Sequence, residues 1–268
     1  MESSASPHNR RVHFIVAGFA LFNVLLHLIF YDQLGFHRDE LLYFSYGKHP
    51  QLGYFAVPPL IGWLATILGH TIGFKLFAIR LLPALIGGGM MFLAAGIVRE
   101  MGGKTFAKVL ACTAVLCAPL FTRAWFLFQP VPFDIFFWTL IFYFLLRYVN
   151  DQQDITLYWL GLAVGLGLLN KYLVALPLTG LFLFLPFTSY RTLFRKRAFY
   201  LSLLIAFLVF LPNLFWQWQN DFPGLDHYAE LNDTQLQFLS RWTLVLEQFL
   251  TYPSSLPPHN APVSAIRL

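Results

Sequence analysis

The stretch Val12–Glu40, VHFIVAGFALFNVLLHLIFYDQLGFHRDE, decides the fold. Its first part, to Tyr31, is predominantly apolar. As a helix rising ~1.5 Å per residue it reaches ~30 Å, the thickness of bilayer hydrocarbon. The run then stops at four ionisable neighbours, His37, Arg38, Asp39 and Glu40. Such a row stands out in a chain of 268 residues that is 57% hydrophobic and only 12% charged. Soluble domains carry roughly 25% charged residues, and one soluble core could not hide 30 phenylalanines and the apolar runs that recur along this chain. The first run is too long for a signal-peptide core and lacks a small-residue cleavage site, so it is expected to remain as a span. The net charge of +5 does not point to nucleic acid, because the basic residues cluster at the ends of apolar runs, where membrane topology uses them. Cys112 and Cys117 lie within one apolar run and are expected to pack there, not to bind metal or pair. The eight histidines lack ligand spacing, so neither metal nor cofactor is expected.

Working outward, apolar spans are expected at about 12–31, 77–98, 106–126, 132–149, 157–170, 172–187 and 199–217. Segment 60–72 is too short to cross unaided, and its Pro58-Pro59 start suits a helix N-terminus, so it is expected along the membrane surface within a first outer loop, 32–76. The fold class is therefore an all-α polytopic helix bundle of about seven spans plus one interfacial helix. Short segments containing YRTLFRKR (Tyr190–Arg197) have the highest Lys/Arg density, which puts them and the N-terminus in the cytoplasm and the HRDE row outside. Residues 1–217 are expected to form the core. Residues 218–268 are expected to form an outer C-terminal segment, with 236–251 at the interface and a Pro/Ser-rich, partly disordered tail. Gly161 and Gly165, in a GxxxG spacing, and the Gly87–Gly89 run read as close helix contacts.

Ionisable residues from four separate segments converge on the outer face: His37, Arg38, Asp39 and Glu40 in the first loop, Arg80 at the edge of the second span, Arg123 and Asp134 around the next turn, and Lys171, beside Tyr172, between two short helices. Asp39 is suited to take a proton from an acceptor hydroxyl or amine, with Glu40 beside it. Lys171, Arg38, Arg80 and Arg123 are suited to a phosphate leaving group. Two plainer readings remain: Asp39 and Glu40 favouring a helix dipole, and Lys171 snorkelling from a hairpin turn.

The motifs GFHRDELLYFSYGKHPQLGYFAVPPLIGWLATILG, RLLPALIGG, FQPVPFDIFFW and GLGLLNKY resemble, in order, those of the family 39 glycosyltransferases. That group includes protein O-mannosyltransferases and bacterial lipid A aminoarabinose transferases, all of the GT-C membrane fold. The resemblance covers about residues 12–225, the N-terminal half of such proteins. It implies transfer of a sugar from a polyprenyl-phosphate donor to a lipid, glycan or protein acceptor at the outer face of a bacterial inner membrane. The family's first-loop acid falls on Asp39 and its lipid-phosphate lysine on Lys171. Val57 departs from the polar residue that often precedes Pro-Pro-Leu, and the tail is expected to end a truncated chain. A transporter of a lipid-linked anion, or an inactive remnant, is the competing expectation.

Overall fold

The computed structural model describes residues 7–33, 35–234 and 242. Every regular element among them is helical: α1 (Pro7–Ile29), α2 (Arg38–Lys48), α3 (Leu60–Thr71), α4 (Leu76–Glu100), α5 (Thr105–Cys117), α6 (Pro119–Ala124), α7 (Pro130–Asp151), α8 (Asp154–Asn170), α9 (Ala175–Phe184), α10 (Arg197–Gln219) and α11 (Pro223–Thr234), with short 3-10 turns flanking α9. The chain is an all-α membrane protein. Helices α1, α4, α7 and α10 are long and apolar enough to cross a bilayer. At most 39% of any of their apolar windows is buried, so most of each belt faces outward, where lipid accepts it at no cost.

The sequence and structure differ at the shorter spans. The expected span 106–126 breaks at Ala118–Pro119 into α5 and α6, where Pro119 opens a new helix at its first position. The expected span 157–170 is α8, which starts at Asp154 and has 17 residues, ~26 Å. The expected span 172–187 continues into a 3-10 helix, Ser189–Arg195, across a bend of 101°. The helix expected at 60–72 is present as α3.

α1, α4 and α5 pack together, α4 meets α7, α7 meets α8, and α8 meets α10, while α2 and α3 pair in the loop after α1. The glycines allow the closest approaches. A Cβ at Gly161 would strike the Ser202 carbonyl of α10, and one at Gly165 would lie 2.7 Å from Val209. Gly87 is pressed against Asn23 of α1 and Trp125, where a Cβ would sit 2.6 and 2.7 Å away. The loop between α2 and α3 is anchored to α10: Asn213 Nδ2 donates to the Leu52 carbonyl at 2.9 Å, and Gly53 lies against the Trp216 ring. By contact, Met1–Gly224 form one compact unit and Leu225–Leu268 a second. The expected interfacial segment 236–251, Trp242 apart, and the Pro/Ser-rich tail lie outside the described residues.

Candidate active site

The site is built around the N-terminus of α2. His37 is its N-cap in extended conformation, and its Nδ1 accepts from the Asp39 backbone N–H at 3.2 Å. Glu40 closes a capping box by accepting from the His37 N–H at 2.8 Å. The row of ionisable residues is thus first a helix start, with acids placed where the helix dipole favours them.

Glu40 goes further into the bundle. It is fully buried and pairs with Arg80, itself 1% exposed, across α2 and α4. Its Oε1 also accepts from the Phe128 N–H at 2.9 Å. Arg80 donates to the carbonyls of Phe126 (3.0 Å) and Gly35 (2.9 Å) and lies 4.8 Å over the Phe126 ring. The expectation of Arg80 at a donor phosphate and of Glu40 beside a reacting proton meets a different placement. Both side chains are enclosed and occupied by each other, because a buried charge requires a partner and satisfied hydrogen bonds. They lock the first loop to α4 and to the turn before α7.

Asp39 stays at the surface, about one-third exposed. Arg38 Nε donates to its Oδ1 at 3.2 Å, and Gln129 Nε2 to its Oδ2 at 3.3 Å. Gln129 also lies 3.3 Å from His37 Nδ1, so one side chain at the head of α7 holds both first-loop groups. Tyr43 sits one turn along α2. Burial first, then the Asp39 charge and Tyr46, push its phenol up to about 12.

Lys171 lies at the junction of α8 and the 3-10 turn Tyr172–Val174. Its Nζ is 3.9 Å from Asp134 Oδ2, with Lys171 38% and Asp134 14% exposed. Asn170 donates to the Pro130 carbonyl at 3.0 Å, which fixes the end of α8 to the start of α7. Asp134 Oδ1 and Asn170 Oδ1 are buried without a donor among the described residues. Tyr172 donates to Asn213 Oδ1 at 2.8 Å and accepts from Gln217 Nε2 at 2.9 Å. His37 and Asp39 thus meet Gln129 just before α7, Lys171 meets Asp134 in the second turn of α7, and Tyr172 meets the C-terminal end of α10. Arg38 is 93% exposed beside them. Arg123, on α6, is exposed and has no ion pair among the described residues.

Sequence reasoning missed Gln129, Tyr43, Asn213 and Gln217. Asn213 and Gln217 had a signal: two amides four residues apart in an apolar span, a position where polar groups are costly. Gln129 is visible only as the residue before Pro130, and its reach to Asp39 is a tertiary fact.

The sequence pattern described as dolichyl-phosphate-mannose-protein mannosyltransferase matches residues 56–216. The chain belongs to this mannosyltransferase family. It is also 27% identical to the lipid A galacturonosyltransferase RgtD of Rhizobium johnstonii, over 81% of this chain and 45% of that protein. The chain thus spans about half the length of the curated relative it matches. No solved structure matches it. The mannosyltransferase-family match covers α3 to α10 and so includes Arg80, Gln129, Asp134, Lys171 and Tyr172. Asp39 and the capping box precede it.

Proposed function

We propose that this protein is a membrane glycosyltransferase that moves a sugar from a polyprenyl-phosphate carrier to an acceptor at the extracytoplasmic face. Asp39 takes the proton of the acceptor hydroxyl. The acceptor oxygen forms a bond to the sugar's anomeric carbon as the bond to phosphate breaks, and the electron pair leaves on the phosphate, whose charge Lys171 stabilises. The observation that carries this reading is the head of α7. Gln129 there holds Asp39, and Asp134, five residues or ~7.5 Å further along, holds Lys171. The base and the cation are thus both fixed to the N-terminal end of one helix. Asp39 lies in the first loop and Lys171 at a helix junction, so a donor whose lipid stays in the bilayer can present its phosphate there. Likeness to a lipid A galacturonosyltransferase favours a glycolipid acceptor.

The test uses membranes containing the protein, a polyprenyl-phosphate galacturonic acid donor and lipid A, with the glycosylated product read by mass spectrometry. Asp39→Asn keeps the shape and removes the basicity. It is expected to cut transfer by about 10²–10⁴-fold at unchanged membrane insertion. Wild-type turnover by this variant removes Asp39 from the reaction, and absence of product from the unaltered protein rejects the donor and acceptor together.

A further inference from the structure

A second cleft lies where α1 begins and α4 ends, away from the residues of the candidate active site. α1, α4 and α5 line an open cleft of about 90 Å³ there. Its apolar wall includes Val16 and Ala95, which continue inward into a buried cluster with Ala20, Met91 and Cys112. Phe92 adds an exposed aromatic side. Its polar residues are all basic: His13, Arg99 and Lys108. Phe92, Ala95 and Arg99 recur at steps of three and four along α4, so one helix face runs from apolar to cationic.

The charges near this cleft are not all balanced within the bundle. Arg99 donates to Glu100 at 2.7 Å and to Tyr143 at 3.1 Å, yet is 53% exposed. Glu100 is the acid nearest to it and is also held by Asn150 at 3.2 Å. Lys108 is half-buried and has no ion pair among the described residues. A lysine half-buried against apolar walls in a membrane protein calls for an anion. The anion must come with an apolar portion, since the cleft opens from cationic to hydrocarbon-like along a single face.

We propose that this cleft binds one anionic glycerophospholipid, with the phosphate between Arg99 and Lys108 and an acyl chain along Phe92, Ala95 and Val16. Basic clefts between spanning helices recognise acidic lipid headgroups in this way. The site is independent of the transfer reaction.

The full chain, purified in detergent, is delipidated and titrated with phosphatidylglycerol or with phosphatidylcholine of the same chains, and bound lipid is counted by native mass spectrometry. One phosphatidylglycerol is expected to be retained in preference to phosphatidylcholine. Lys108→Gln is expected to lower its affinity about fivefold, the effect of one cation at a lipid surface. Lys104→Gln removes the same charge at the N-cap of α5, one turn before Lys108 and outside the lining, and is expected to leave retention unchanged. Thermal melting of both variants reports whether each is folded, and Lys108→Arg is expected to restore retention. Equal retention of the two lipids, or equal losses in the two glutamine variants, overturns the proposal. Displacement of the lipid by millimolar inorganic phosphate also overturns it, because it means a bare anion site.

Discussion

Asp39 and Glu40 differ by one position, which on a helix is a rotation of ~100°. That rotation turns Glu40 into the bundle and leaves Asp39 at its surface. Their substitutions therefore separate stability from chemistry. Glu40→Gln strands the Arg80 charge in an enclosed site and is expected to cost ~3–5 kcal/mol, seen as a lowered melting temperature in detergent. Asp39→Asn is expected to melt within about 0.5 kcal/mol of the unaltered protein. Equal destabilisation by both assigns them one structural role. Tyr43 reports on the same corner. Its phenol is held neutral in the fold up to about 12, against an ordinary value of 10. The stability it contributes is present below pH 10 and falls as pH rises from 10 towards 12. Burial also raises Tyr46 and Tyr54, so absorbance at 295 nm is expected to show several late-titrating tyrosines, of which Tyr43→Phe removes one and Asp39→Asn shifts that one to lower pH. No such shift with Asp39→Asn separates the two groups. The acid pair was legible in the sequence because charge is rare in this chain. Which acid is buried was not, because the partner that decides it, Arg80, is 40 positions away.

At the level of elements, hydropathy made the four long helices legible, and GxxxG made legible the face of α8 that α10 covers. Gly161→Val is expected to destabilise by ~1–3 kcal/mol, because its side chain would meet the Ser202 backbone. Gly18→Val on α1 meets nothing within 4 Å and is expected to be tolerated. Comparable melting of the two rejects close α8–α10 contact. The bend after α9 was not legible, because an apolar run has the same composition whether straight or broken. The junction of α8 with the following turn places Lys171, and substitution there separates a phosphate ligand from a snorkelling cation. Lys171→Met keeps the stem and removes the charge. It is expected to weaken binding of a polyprenyl-phosphate in nanodiscs at least about fivefold, with Lys171→Arg keeping part of the affinity. Equal binding by Lys, Met and Arg makes the residue a topological anchor.

For the whole molecule, the Lys/Arg distribution predicts that residues 32–76 and 188–198 lie on opposite sides of the membrane. In a background lacking Cys112 and Cys117, a cysteine at Ser45 is expected to react with an impermeant reagent from outside the cell, and one at Ser189 only after the membrane is opened. The reverse pattern inverts the topology and places Asp39 in the cytoplasm. One contact also bears on how such a chain is made. The Leu52 carbonyl finds its donor in Asn213, 161 positions later. At roughly 5–20 residues per second, a ribosome needs roughly 8–30 s to cover that distance. During that interval α2 and the loop after it have already been delivered to the membrane, while the surface that anchors them has not been synthesised. Asp39 gains its contact with Gln129 after 90 further residues, but the loop between α2 and α3 has no anchor on α10 before α10 is inserted. A growing chain therefore passes through a stage in which this loop is open to proteases and to chaperones of the membrane insertion machinery, and it closes only when translation has passed Asn213.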